Sequence, residues 1–272
     1  MSVPKIAFSF WEGDQFTYMH YLTFVTFSKH NPDFAIKIYT STNITSNLIK
    51  WNSGEHTKTL DNKFDFNQLY TIPNLEIIYI NVEKEVDYHS PLSSVWKSDI
   101  IRLLKLYEHG GIYIDFDTLF INKIDESLLT LEYDLACNTY TDVINNAFLI
   151  ANPKSPVIKV VIDAIITKLH SNNVTNEYQQ FGPSLITKLV LQTSLKSNVY
   201  FIPNDMTCPY LWYEMDKLFY SNTVQYTNKT FCLHWYNGSS VSREYCSTFS
   251  ISSINEPKNI FESLLSQSIM AK

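Results

Sequence analysis

Residues Ser93–Ile121 read SSVWKSDIIRLLKLYEHGGIYIDFDTLFI, and the parsing of this stretch decides the fold. Its first half has the spacing of a helix from Ser94 to His109. Ser93 or Ser94 can cap the start with a side-chain oxygen, and Gly110-Gly111 supplies the left-handed turn that ends it. The second half predicts a strand over Ile112–Ile121. On a strand Ile112, Ile114 and Phe116 face one way, and Tyr113, Asp115 and Asp117 the other. Two carboxylates then share one face, roughly 6–7 Å apart by strand rise. Like charges that close call for a cation, and hard oxygen ligands suit Mg²⁺ or Mn²⁺.

At about 100° per residue, Lys97, Lys105 and Glu108 cluster on one side of the helix, read here as its solvent face. Asp99 falls almost opposite, among Val95, Leu103 and Leu106, with Arg102 one turn along. An acid on an apolar face is costly unless it is paired. Two readings are open: a buried Asp99–Arg102 ion pair that ties the helix to the core, or a polar site shared with Asp115 and Asp117.

Working outward, strands are expected at Lys5–Trp11, Phe34–Thr40 and Leu75–Val82, with an aromatic-rich helix over Gln15–His30. The span Ser41–Tyr70 is polar, with short helices expected. Strands separated by helices suggest βαβ units and a parallel sheet. Beyond the central stretch come short strands at Leu131–Cys137 and Asn146–Ala151, a helix ending near His170, and a helix opening at Gly182-Pro183. Further strands are expected at Val199–Ile202 and Phe231–Trp235, and a last helix at Ile260–Met270. No repeat or linker divides the chain, so residues 1–272 are expected to form a single α/β domain with a mostly parallel central sheet flanked by helices.

The 272 residues are 45% hydrophobic and 15% aromatic, which excludes disorder. A net charge of −6 without a dense Lys/Arg run argues against a nucleic-acid binder. Four dispersed cysteines, Cys137, Cys208, Cys232 and Cys246, lack metal or redox spacing and read as buried thiols in a reducing compartment. No signal peptide or membrane span is recognisable. The expectation is a cytoplasmic protein, soluble or peripherally attached, from an AT-rich bacterial or viral genome (in the host cytoplasm if viral).

The run SDIIRLLKLYEHGGIYIDFD closely resembles the sugar-binding DxD segment of family 32 glycosyltransferases, which include yeast initiating α-1,6-mannosyltransferases and bacterial capsular sugar transferases. It also resembles the glucosyltransferase domains of large clostridial toxins. PKIAFSFWEGD is similar to the family's first strand, NNAFLIANP to its strand after the DxD, FGPSL to its Gly-Pro helix start and LHWYNGSS to its C-terminal His-x-Trp segment. The resemblance implies a GT-A fold and a role for each matching position. Asp117 would bind the metal directly, and Asp115 would support it while contacting ribose or donor sugar. Asp99 and Arg102 would hold the donor's hydroxyls, and Trp11 would lie on the nucleobase. His234 would complete the metal shell. Trp235, Ser239 or Ser240 would touch the diphosphate, and Asn145 or Asn146 would line the acceptor side. The chain departs from the pattern in lacking a second Trp soon after His-x-Trp and the N-terminal anchor of fungal members.

Bland readings stand beside several of these roles. His234 fits a buried histidine, Trp11 and Trp235 fit core positions, and Tyr210–Tyr220 fits either a core patch or an acceptor platform. The resemblance implies a Mn²⁺- or Mg²⁺-dependent, retaining transfer of a hexose or N-acetylhexosamine from a nucleotide-diphosphate sugar, UDP favoured over GDP, to a glycan or other hydroxyl acceptor. Two alternatives use the same residues. YIDFDTLFI also fits the first motif of haloacid-dehalogenase-type phosphatases, with Asp115 as nucleophile and Asp117 as general acid, although no Gly-Asp motif follows. A catalytically silent carbohydrate-binding scaffold is the other.

Overall fold

The structure is a computed structural model that describes residues 2–42, 63–130, 132–171 and 174–270. The expected short helices within 43–62 lie outside the described residues. In chain order the elements are β1 (Ile6–Trp11), α1 (Tyr18–His30), β2 (Ala35–Ser41), β3 (Leu75–Ile80), α2 (Val82–Glu85), α3 (Ser94–His109), β4 (Gly111–Ile114), β5 (Thr118–Phe120), β6 (Leu135–Tyr140) and β7 (Val143–Ala151). They continue with α4 (Pro156–His170), α5 (Pro183–Leu191), β8 (Val199–Phe201), α6 (Asn204–Thr207), α7 (Met215–Phe219), β9 (Cys232–His234), α8 (Ser240–Thr248), α9 (Ser252–Asn255) and α10 (Ile260–Met270).

Seven strands form the central sheet in the order β3-β2-β1-β4-β7-β6-β8. Every strand but β7 runs in the same direction, since β7 is antiparallel to both β4 and β6 while the other pairings are parallel. On one face, α3, α4 and α5 cover Phe8, Tyr113 and Leu149. On the other, Phe24 and Phe27 of α1 cover Ile36, Ile38, Ile112 and Ile114. The opposite side of α1, Met19 and Leu22, packs against β9 and the helices α7, α8 and α10. A helix buried on both sides needs apolar residues all round, which accounts for the aromatic density of that segment.

The helix–turn–strand parsing holds at its first joint. Ser93 Oγ accepts the Trp96 amide at 3.2 Å to cap α3. Gly110 (φ 65°) and Gly111 (φ 101°) make the turn, and a Cβ on Gly111 would lie 2.4 Å from the Ile6 carbonyl oxygen. Glycine is required there by both backbone angle and space.

The expected ten-residue strand is not continuous. β4 ends at Ile114, the Asp115 amide makes one more bond to the Ala147 carbonyl at 2.8 Å, and the chain turns. It resumes as β5, which leaves the central sheet and pairs antiparallel with β9. The cause lies between: Phe116 inserts its ring beside Trp11, Phe16 and Phe24, with centroids 5.3, 5.6 and 5.0 Å away, and its carbonyl accepts from Thr23 Oγ1. The strand expected from Leu131 begins at Leu135, and α8 was given no element by the sequence reading.

The solvent face expected for α3 is also corrected. Glu108 is half exposed, but Lys97 is fully buried, with Nζ 3.0 Å from Glu12, 3.3 Å from Glu83 and 3.2 Å from Ser41 Oγ. Lys105 is buried too: Nζ lies 5.4 Å from the centre of the Tyr39 ring and bonds Glu108 at 2.7 Å. The loop after β1 and helix α2 cover this side. Removing one partner of a buried ion pair leaves uncompensated charge at a cost of about 3–5 kcal/mol. Lys97→Ala, which strands Glu12 and Glu83, should therefore lower the urea unfolding free energy by about that amount, whereas a change within about 0.5 kcal/mol, typical of a surface substitution, would show that the cluster contributes little.

Candidate active site

The break after β4 places Asp115 and Asp117 where the strands β1 and β4 end, the edge at which open α/β sheets collect ligands. Arg102 of α3 sits at the centre of the polar groups there. Its Nη1 donates to the Asn146 carbonyl at 2.6 Å and its Nη2 to Ser98 Oγ at 2.9 Å. Nη2 is also 3.3 Å from Asp99 Oδ1 and 3.4 Å from Asp115 Oδ1, while the guanidinium lies 4.4 Å from the centre of the Tyr113 ring. The Tyr113 hydroxyl donates to Asp115 Oδ1 at 2.8 Å. Both readings of Asp99 thus meet in one network: it is ion-paired to Arg102, and Arg102 links it to the DxD acid.

Asp99 accepts from Asn146 Nδ2 at 2.9 Å. Its carboxylate fits against Gly182, where a Cβ would approach within 2.5 Å of Oδ2. Burial raises its pKa to about 6, against the opposing pull of Arg102 and Asn146. Asp115 is also raised by burial, with Arg102 opposing. Asp117 goes the other way. Burial alone would raise it, but His234 and the Asn237 amide hold it below the usual carboxylate range.

The pairing of β5 with β9 sets Thr118 opposite His234. His234 Nε2 is then 3.0 Å from Asp117 Oδ1, and the Asn237 amide donates to Asp117 Oδ2 at 2.7 Å. Burial lowers the His234 pKa, yet Asp117 outweighs it and the net shift is upward. One ligand atom from each of Asp115, Asp117 and His234 lies within 4.8 Å of the others. Two carboxylates and an imidazole are a donor set suited to Mg²⁺ or Mn²⁺. The set also has spare capacity, because His234 Nδ1 and Asn237 Oδ1 are buried without a hydrogen-bond partner. Beside them the Tyr236 ring lies tilted against His234 with centroids 3.9 Å apart, and Tyr236 adopts φ 44°, a left-handed conformation that bulky residues rarely take and that concentrates at functional sites.

The remaining expected residues divide. Trp11 is half-buried at the end of β1, with His20, Phe16 and Phe116 at 4.6, 5.2 and 5.3 Å. The Trp235 indole is 1% exposed and belongs to the core, and only its backbone amide reaches the site, donating to the Asp117 carbonyl at 2.8 Å. Ser239 precedes α8 and Ser240 opens it, exposed. Asn145 accepts the Ala147 amide at 2.9 Å, whereas Asn146 is buried and braces Asp99 and Arg102.

Residues the sequence reading passed over include Ser98, Tyr113, Asn237 and His20. His20 lies between Trp11 and Trp235, with Nδ1 accepting from the Thr17 amide at 3.1 Å, and burial lowers its pKa to about 4. Tyr113 was legible as the inward neighbour of Asp115 on the strand. His20 carried no signal on a helix apolar all round.

Residues 19–133 match the family model described as the glycosyltransferase sugar-binding region containing the DXD motif. The matched segment includes Asp99, Arg102, Asp115 and Asp117. It stops short of Asn146 and His234 and starts after Trp11. No curated protein sequence matches the chain. Among solved structures, the PaToxG glycosyltransferase superposes with a TM-score of 0.51 at 18% identity over 70% of each chain. The apo-form glycosyltransferase GlyE of Streptococcus pneumoniae TIGR4 superposes with a TM-score of 0.50 at 14% identity, over 98% of this chain and 64% of that one. The fold is the GT-A fold of glycosyltransferases, and together with the matched DXD region it supports a transferase enzyme. The phosphatase alternative finds no support in the matched region or the shared fold. Among the described residues no helix is long and apolar enough to cross a membrane.

An acid whose pKa rises on folding lowers stability once it ionises. The unfolded chain releases the Asp99 proton near 3.8 and the folded chain near 6. The Asp99 contribution therefore falls as pH climbs from about 4 to about 6 and is level above. Asp99→Asn removes that loss, so the urea midpoint of the variant should shift in its favour, relative to the parent, between pH 4 and pH 7. A difference that does not change with pH would contradict the raised pKa.

Proposed function

We propose that this chain is a metal-dependent, retaining glycosyltransferase of the family 32 type, built as one domain. It moves a hexose or N-acetylhexosamine from a nucleotide-diphosphate sugar, UDP rather than GDP, to an acceptor hydroxyl of a glycan or other acceptor. The observation that carries this reading is the convergence of Asp115, Asp117 and His234 within 4.8 Å, beside a buried network that reaches Asp99. Asp115, Asp117 and His234 would hold Mn²⁺ or Mg²⁺. Such a cation supplies Lewis-acid stabilisation to a leaving diphosphate and offsets the repulsion of an acidic protein.

The chain's own residues divide the remaining work. His234 and the Asn237 amide keep Asp117 ionised near neutrality. Arg102 orients Asp115 and Asp99 together, and offers donors where the carboxylates offer acceptors to sugar hydroxyls. Asn146 fixes the Asp99 carboxylate, and Gly182 leaves room for it. Trp11 presents an aromatic surface at the end of β1 for the nucleobase. Ser239 and Ser240, at the start of α8, lie where helix amide groups favour a phosphate. The preference for UDP and the retention of configuration rest on the family resemblance. Retention by a front-face displacement also agrees with the state of the two upper acids: Asp99 is walled in and tied to Arg102, and Asp115 accepts from Tyr113, so neither is poised as a nucleophile. Four buried free cysteines favour a reducing, cytoplasmic setting.

Incubation with a panel of UDP- and GDP-sugars and Mn²⁺ should release free nucleoside diphosphate from at least one donor, and chelation should stop it. Asp117→Ala should lower the rate by at least about a hundredfold, the equivalent of a few kcal/mol of lost leaving-group stabilisation. Turnover that survives chelation, or Asp117→Ala at the parent rate, would contradict the metal role. An inverted anomer in the product would contradict retention.

A further inference from the structure

A second feature lies outside the donor site. Trp212 and Tyr213 are 54% and 56% exposed, although they are large rings in a well-packed region. They do not sit on a slack loop. The preceding Tyr210 is 1% exposed, its hydroxyl donates to the Thr223 carbonyl at 2.9 Å, and it accepts the Gln225 amide at 3.1 Å. The Leu211 amide bonds Glu214 Oε2 at 3.0 Å and the Glu214 amide returns to the Leu211 carbonyl at 2.8 Å, so 211–214 form a closed turn. Met215, fully buried, anchors its far end. A turn braced on both sides thus holds two aromatic rings in solvent.

A third ring joins them from another element. Tyr140, at the end of β6, meets Tyr213 with centroids 6.1 Å apart at 63°, and Trp212 meets Tyr213 at 5.6 Å and 87°. Rings set nearly at right angles form a corner with a flat floor and a wall. Thr141 and Asp142, which follow Tyr140 in the β6–β7 turn, are exposed together with Val143, and Glu214 follows Tyr213, so polar groups neighbour the rings in the chain. A corner with polar edges suits a pyranose, whose C–H face lies on an aromatic ring while its hydroxyls reach polar groups.

The corner is continuous with the donor site along two routes. Tyr140 faces Val143 across the β6–β7 hairpin, and four residues along β7 the Ala147 carbonyl receives the Asp115 amide. That is about 13 Å by strand rise. Tyr236, tilted against the His234 ring at 3.9 Å, also interacts electrostatically with Asp117 and with Tyr140.

We propose that Tyr140, Trp212 and Tyr213 form an acceptor platform that binds a sugar ring of an oligosaccharide, at a distance from the DxD acids greater than a single hexose spans. The inference rests on the transferase reading for its role in the reaction but not for its sugar binding. The acceptor is then a glycan of more than one residue rather than a protein side chain or a free monosaccharide.

The test is saturation-transfer NMR of the full chain with chitotriose, maltotriose, mannotriose and N-acetyllactosamine-capped glucose. At least one should receive saturation at its ring protons. Trp212→Ala/Tyr213→Ala should weaken that binding at least tenfold, and Trp212→Phe, which keeps a ring, should retain most of it. Absence of binding by all four, or equal binding by the double variant, would overturn the proposal. So would transfer by the wild type to a protein acceptor that the double variant loses. Nucleoside diphosphate release by the wild type after UDP- and GDP-sugars and Mn²⁺ are added to the same samples reports on the donor site separately: trisaccharide binding without any release would leave the platform standing and sink the transferase reading.

Discussion

The buried guanidinium of Arg102 is the constraint on which the site depends. A cation 4% exposed in a protein interior must be surrounded by acceptors. Arg102 takes them from three elements: Ser98 and Asp99 on its own helix, Asp115 after β4, and the Asn146 backbone on β7. Satisfying one charge therefore fixes the distance between α3 and the central strands. It also helps fix the rotamer of the first DxD acid, whose Oδ1 accepts from the Tyr113 hydroxyl as well. The matched sugar-binding region includes helix and DxD together, and this ion network ties the two physically.

The second DxD acid is held by different means. Past Asp115 the chain leaves the central sheet, and Asp117 is taken up by β9 through its carbonyl, by the Asn237 amide through Oδ2 and by His234 through Oδ1. The two acids thus answer to separate parts of the fold, one to α3 and β7, the other to the C-terminal segment. A site divided in this way is complete only when the last 40 or so residues have packed against α1, which explains the double burial of that helix between the sheet and the C-terminal helices.

What could be read from the chain follows the range of the interactions. The Ser93 cap, the Gly110-Gly111 turn and the Asp99–Arg102 pair are local, and each was visible in Ser93–Ile121. The parallel strands were visible because apolar runs at strand length alternate with helical ones. Lys97 was misplaced because its partners Glu12 and Glu83 come from other elements, and a helical wheel holds no information about them. The break at Asp115 was invisible for the same reason: alternation continues through Phe116, and only the aromatic pocket of Trp11, Phe16 and Phe24 draws the chain out of the sheet. The bond from Asn146 to Asp99 was not visible, because it joins β7 to α3 across 47 residues of chain. The Trp235 indole, expected near phosphate, fills the core, so that the segment reaches the site through His234, Asn237 and a backbone amide.

The proposed function stands or falls on whether Asp115, Asp117 and His234 hold one cation on which a nucleoside diphosphate rests. A crystal structure with UDP and Mn²⁺, read by anomalous scattering at the manganese edge, tests it most directly. The expected result is an anomalous peak within coordination distance of Asp117 and His234, with diphosphate oxygens on the same ion and the base beside Trp11. A nucleotide bound at the ends of β1 and β4 with no manganese among these three side chains, or manganese bound elsewhere on the chain, would contradict it.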